Sequence, residues 1–386
     1  MHNTKYFEPN RHATWLELFF DLIFVVTIGD VTHILSHTHE GRLDPLQFWK
    51  FVLIFLPLWW IWVSHTMYSN RFDADDRKHR LATLVIMFLL IGISGLIDQR
   101  FVASFEVIVV CYAGSKYIVA MMYFVSKHRH KESVALTTAV GWVIVAGASI
   151  CLASILFPAP QRYFVFYLGI LFDVIAFLGF LPRRLQAIPM HTEHLIERLG
   201  LLAIIMLGES ISSLSTGLAN ISWTMERLLT AATGFVTISS IWWVYFDSFH
   251  LLVKQKFETG HSVMYSHFLV FIGLSILASL IRHAILDDMV ISDFRVLAVI
   301  GTVCFFIGKQ YAYFMERPEL RPQLIVNTVV VFVLTGFALF LPKSSYILLG
   351  MTVAVICYAF LSLTYLKVPA KRHDDARKAA VISDEA

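Results

Sequence analysis

Runs of about twenty mostly apolar residues alternate with short segments rich in charge or proline along almost the whole chain. The runs fall near 16–35, 47–67, 81–97, 104–126, 135–157 and 161–181, and again near 194–217, 224–248, 264–286, 294–315, 322–341 and 345–367. A helix rises about 1.5 Å per residue and a bilayer core is about 30 Å thick, so each run is long enough to span. The breaks carry turn signals such as Phe157-Pro158-Ala159-Pro160 and Leu341-Pro342-Lys343. The pattern predicts an all-α polytopic membrane helix bundle of about twelve transmembrane helices, followed by a polar tail over 368–386.

Charge supports the count. Alternate segments starting from the N-terminus hold Lys5 and Arg11; Arg71, Arg77, Lys78 and Arg80; Lys127, Arg129 and Lys131; Arg183 and Arg184; Lys254 and Lys256; Arg317 and Arg321; and a basic tail. The intervening segments hold a single basic residue each: Arg42, Arg100, Arg162, Arg227, Arg295 and Lys343. Basic loops stay on the cytoplasmic side, which predicts an inner-membrane protein with both termini cytoplasmic. The first apolar run carries Glu17, Asp21 and Asp30, and is expected to stay as an anchor rather than be cleaved.

Composition narrows the class further. With 57% hydrophobic and 15% charged residues, the chain is far more apolar than soluble domains, which excludes a soluble enzyme, a coiled coil and a disordered chain. The partner it implies is the lipid bilayer. No dense basic run stands apart from the apolar segments, so no nucleic-acid partner is expected. Cys111, Cys151, Cys304 and Cys357 all sit inside apolar runs, where they read as small buried hydrophobes rather than disulfides or metal ligands.

The two sets of six runs resemble each other. A shift of 179 aligns His12 with His191, Gly29 with Gly208 and Asp30 with Glu209. A shift of 183 aligns Trp59-Trp60 with Trp242-Trp243, and one of 193 aligns Lys116 with Lys309. The expectation is two tandem parallel repeats, residues 1–185 and 186–367, with ligand sites between them.

Ionisable side chains inside spans are costly and point to function. Glu17 and Asp21 share one face of the first helix, and Asp30 lies nearly opposite. Its counterpart opens with Glu193, His194, Glu197 and Arg198 and continues to Glu209 and a serine-rich turn. Lys116 and Lys309 lie inside the fourth helix of each half, and Asp173 inside the sixth. Asp30 and Glu209 are the expected partners of the two lysines. Two readings are open: salt bridges that lock helix packing, or a titratable relay in which Glu17, Asp21, Asp30, Asp173, Glu209, Lys116 and Lys309 bind protons or substrate.

Histidines raise a metal question. His33 and His37 have the i,i+4 spacing of zinc ligands but lack the glutamate of HExxH, so they read as solvated interfacial residues, as does His39. His65, Asp247, His250 and His267 fall near one side of the membrane without forming a tight motif. No cofactor is expected, since no phosphate-binding glycine loop or nucleophile elbow occurs. The Trp59-Trp60-Ile61-Trp62 and Trp242-Trp243-Val244-Tyr245 runs read as packing or lipid contact before ligand stacking.

Taken together, Trp15-Leu16-Glu17-Leu18-Phe19-Phe20-Asp21-Leu22-Ile23-Phe24-Val25, then Glu197-Arg198-Leu199-Gly200 and Leu207-Gly208-Glu209-Ser210, resemble the motifs of the bacterial low temperature requirement protein A family. The resemblance runs over nearly the whole chain. It implies a bacterial polytopic inner-membrane protein linked to growth in the cold, and it implies no particular substrate. The functional expectation is a secondary transporter or permease, with proton coupling, for an unidentified small solute or lipid-like compound. The alternatives are a metal-dependent membrane enzyme acting on a lipid-like substrate, and a structural or sensory membrane protein.

Overall fold

A computed structural model describes residues 12–72, 76–97, 103–126, 133–186, 188–219, 222–248 and 259–365. The expected tail lies outside the described residues. Twelve long helices account for most of them: α1 (Trp15–His33), α2 (Pro45–Arg71), α3 (Arg77–Ser94), α4 (Phe105–Ser126), α5 (Val134–Ala153) and α6 (Gln161–Ile175), then α7 (Thr192–Leu218), α8 (Met225–Asp247), α9 (His261–Leu286), α10 (Ile291–Glu316), α11 (Arg321–Ala338) and α12 (Ser344–Tyr365). No strand occurs among the described residues, because a backbone in hydrocarbon must satisfy its own hydrogen bonds within each segment.

Eleven of the described helices are long and apolar enough to cross a membrane. The exception is α3, which begins at Arg77 rather than at the apolar residue 81. Its first turn carries Arg77, Lys78 and Arg80, so the full helix mixes a basic end with an apolar remainder. The chain is a multi-pass, membrane-embedded helical protein.

Local chemistry sets several helix starts. Thr14 caps α1 in a capping box: its Oγ1 accepts from the Glu17 amide, while Glu17 Oε2 accepts from the Thr14 amide at 2.9 Å. Asp76 caps α3 by accepting from the His79 amide at 2.7 Å, and Thr224 caps α8 through the Arg227 amide. Pro57 lies inside α2, where it removes one backbone donor just ahead of Trp59 and Trp60. A π-helical turn, Ala176–Phe180, extends α6 beyond Asp173.

The chain forms two compact units. Among the described residues, one lies within 12–34, 46–202 and 259–261, the other within 35–45, 203–248 and 262–365. In the first unit α5 packs between α4 and α6, and α3 between α1 and α4. In the second, α12 packs against α8 and α11. Small residues let helices approach closely in both, as membrane packing requires. A methyl group at Gly169 would fall 2.7 Å from the Gly147 carbonyl oxygen, and one at Gly273 would fall 2.6 Å from the Phe305 amide nitrogen.

The four cysteines are free; Cys151 is buried, while Cys111, Cys304 and Cys357 are only partly so. The aligned tryptophan pairs differ in setting. Trp59 and Trp60 are buried, whereas Trp242 and Trp243 are 51% and 53% exposed.

Candidate functional site

The first unit contains a buried ionic cluster built from α1, α2 and the first turns of α7. Glu17 and Asp21 lie four residues apart on α1, and His194 and Arg198 lie four apart on α7. The equal steps bring each acid against one base. Arg198 forks onto Asp21, with Nη2 donating to Oδ1 at 2.5 Å and Nε to Oδ2 at 3.2 Å. Nη1 donates to Ser69 Oγ at 3.0 Å and lies 3.5 Å from Glu17 Oε1. Trp62 Nε1 donates to Asp21 Oδ1 at 2.7 Å, and the guanidinium sits 5.4 Å from the Trp62 ring centre. No side chain among these four ionisable groups exceeds 3% exposure.

Asn70 determines the state of the imidazole. Its Oδ1 accepts from the His191 amide at 2.9 Å, and its Nδ2 donates to the His191 carbonyl at 3.0 Å. The same Nδ2 meets His194 Nδ1 at 3.0 Å. Because Nδ2 can only donate, Nδ1 must accept. The ring proton is therefore on Nε2, which donates to Glu17 Oε2 at 3.1 Å. His194 is a neutral donor in this arrangement, leaving two carboxylates to one guanidinium. Thr14 and the positive end of α1 supply part of the remaining compensation for Glu17.

A second buried ion pair lies in the same unit. Lys116 on α4 pairs with Asp173 on α6 at 3.0 Å, with both side chains at most 1% exposed. Lys116 also donates to Ser64 Oγ at 2.5 Å, and Trp60 Nε1 donates to Asp173 Oδ2 at 3.1 Å. Trp60 and Trp62 thus serve one ion pair each, so this tryptophan run does more than pack.

The lysine partners differ from expectation. Lys116 takes Asp173, while Asp30 is exposed and accepts from the Ser94 hydroxyl. Asp30 lies at the far end of α1 from the cluster, so its rotation and depth direct it to α3 instead. In the second unit Lys309 donates to Ser248 Oγ at 3.0 Å and contacts Tyr358 OH at 3.4 Å. Glu209 is half-buried on α7.

The histidine sets also resolve. The α-helix ends at His33 and a 3-10 turn, Ile34–Ser36, follows, so the helical register does not reach His37. His33, His37 and His39 are exposed. His65 stacks on Phe20 at 4.2 Å and contacts Thr83 Oγ1 at 3.2 Å. His267 uses both ring nitrogens within the protein, on the Val263 carbonyl at 2.6 Å and Tyr245 OH at 2.9 Å. His250 lies outside the described residues. Among the described residues, no three His, Cys, Asp or Glu side chains come together as a metal site.

Glu17 and Asp21 stand out in the sequence as acids inside an apolar run, whereas His194 and Arg198 show only as polar residues opening a helix and Asn70 carries no mark at all. The readable signal was the matched spacing: two acids four apart on one helix, two bases four apart on another.

Comparison with known proteins adds a family. The profile of the bacterial low temperature requirement A proteins (LtrA) matches residues 12–360. An uncharacterized protein of Rhizobium meliloti (strain 1021) is 22% identical over 336 residues, covering 80% of this chain and 78% of that protein.

Proposed function

The chain belongs to the bacterial low temperature requirement A family, and from its geometry we propose that it is a proton-coupled secondary transporter of the bacterial inner membrane, with both termini cytoplasmic. One observation carries the reading: Glu17, Asp21, His194 and Arg198 form a single hydrogen-bonded cluster shielded from solvent. Ionisable groups at membrane depth are costly to retain and mark proton or substrate pathways. Histidine is the side chain that ordinarily changes charge near neutrality, and here its ring proton faces a carboxylate. Protonation at Nδ1 would break the contact with Asn70, so charge and geometry change together. Asp30, Asp173, Glu209, Lys116 and Lys309 are the further groups assigned to proton or substrate contact.

The test is solute-driven proton flux in proteoliposomes, read by an entrapped pH-sensitive dye while amino acids, sugars and organic acids are supplied in turn. At least one solute should move protons, and His194→Gln or Asp21→Asn protein that inserts normally should not respond. Silence across the whole panel, or flux unchanged in both variants, overturns the coupling.

A second reading, in which the charges are architectural, draws support from Lys116 and Asp173, which pair with each other while both side chains are at most 1% exposed. Under it, a Lys116→Met/Asp173→Leu double variant retains flux and unfolds like the parent, because well-packed apolar residues replace a buried pair without loss.

A further inference from the structure

His194 and His283 each meet a carboxylate, but they differ in what faces the second ring nitrogen. His194 lies between a donor and an acceptor and is neutral. His283, buried on α9, lies between two acceptors. Its Nε2 meets the Leu35 carbonyl at 2.9 Å, and its Nδ1 meets Asp288 Oδ1 at 2.5 Å. A carbonyl only accepts, and an aspartate, ordinarily ionised near neutral pH, does the same. Both ring nitrogens must donate, which makes His283 an imidazolium paired with Asp288.

We propose that His283 and Asp288 form a pH-sensitive latch on the segment 35–43, closed while the pair holds its proton and open once the proton is lost. The segment joins α1 to α2, and its first carbonyls end a helical turn, where they lack partners within it. Side chains one turn apart on α9 supply those partners. Ser279 Oγ donates to the Leu35 carbonyl at 3.1 Å, beside His283, and Arg282 Nη1 donates to the Ser36 carbonyl at 2.8 Å. Farther along, Thr38 Oγ1 donates to the Asp288 carbonyl at 3.2 Å. The Val290 amide donates to the Gly41 carbonyl at 2.7 Å, and the Leu43 amide to Asp293 Oδ2 at 3.0 Å. His283 links the two sets: one nitrogen holds Leu35, the other holds the residue that Thr38 binds.

A neutral ring has one proton for these two acceptors. If Nε2 keeps it, the Nδ1 lone pair faces the Asp288 carboxylate. If Nδ1 keeps it, the Leu35 carbonyl loses its imidazole donor. Either way one contact opens, since a buried polar group without a partner is costly. Asp288 is 35% exposed, so solvent reaches the pair and can take the proton. Among the charged neighbours, Arg282 Nη1 lies 3.7 Å from Asp288 Oδ2. Asp287 accepts from Ser344 Oγ of α12 at 2.9 Å, and Asp293 of α10 accepts from Ser292 Oγ at 2.9 Å. On the segment itself His37, His39, Glu40 and Arg42 are exposed. Carboxylates and guanidinium ordinarily keep their charge across neutrality, whereas an imidazole changes it there. With both termini cytoplasmic, the latch responds to pH outside the cell; only that sidedness rests on the proposed topology.

The test uses full-length protein in nanodiscs, which expose both faces to one buffer, so it stands apart from topology and from proton flux. Backbone hydrogen exchange at Arg42, Leu43 and Val290, corrected for base catalysis, should rise about tenfold between about pH 5 and about pH 9. In Asp288→Asn it should stay low at both, because the asparagine amide donates to Nδ1 while Nε2 keeps its proton on Leu35. Nitrogen NMR of histidine-labelled protein should show His283 losing one ring proton over the range in which exchange rises. Its signals are those missing from His283→Gln. Flat exchange in the unaltered protein, an equal rise in Asp288→Asn, or a ring already singly protonated at the acid end overturns the latch. Should His283→Gln fail to fold, the comparison of Asp288→Asn with the unaltered protein still decides.

Discussion

Asp173 occupies the space that a side chain at Gly147 would fill: a methyl group there would lie 2.0 Å from Asp173 Oδ1. The missing Cβ on α5 is what lets the carboxylate of α6 reach Lys116 on α4. Gly147→Ala should therefore push Asp173 off its lysine and destabilise the protein by about 3 kcal/mol. Gly336→Ala, where a methyl group meets nothing within 4 Å, should cause no loss. Thermal unfolding in one detergent compares the two.

Asp21 and Arg198 should show strong coupling. Arg198→Leu alone leaves two buried carboxylates without their cation and should cost about 3–5 kcal/mol. Adding Asp21→Leu should recover part of that loss, giving a coupling of about 1–3 kcal/mol in a double-mutant cycle. Strict additivity would mean that the two groups do not act on each other.

The hydrogen bonds around Asn70 predict the His194 tautomer. Nitrogen NMR of histidine-labelled protein should show a bare Nδ1 and a protonated Nε2. Asn70→Asp places an acceptor against Nδ1 and should convert the ring to the doubly protonated form. A ring protonated at Nδ1 in the unaltered protein would contradict the hydrogen-bond assignment.

The two tryptophan pairs should respond differently to the same change. Trp62→Phe removes the indole donor to Asp21 and should destabilise by about 1–3 kcal/mol. Trp242→Phe alters a half-exposed ring and should stay within about 0.5 kcal/mol. Equal effects would show that the indole nitrogen of Trp62 contributes little.

Much of the architecture was legible because the bilayer acts as a simple solvent. An apolar run of sufficient length becomes a helix wherever its own backbone must supply the hydrogen bonds. That logic located the helices, and at α3 a basic first turn extends the helix four residues ahead of the apolar run. It also marked Glu17, Asp21, Lys116 and Asp173 as costly to bury, and all four are buried. His194 and Arg198 were less legible, because a polar position near a helix start resembles a solvated turn until a neighbouring helix covers it. The aligned tryptophans show the other limit: a matching dipeptide says nothing about which face a neighbour covers.

The sequence by itself determined which segments are helical, that they belong in a membrane, and which charges lie among apolar neighbours; these follow from hydrophobicity summed over some twenty residues. Only the tertiary structure decided which charge meets which. Lys116 takes Asp173 rather than Asp30, and Arg198 takes Asp21, because a hydrogen bond requires atoms about 3 Å apart. That separation depends on helix rotation, on depth, and on a notch such as Gly147, none of which a linear pattern of apolar and polar residues records.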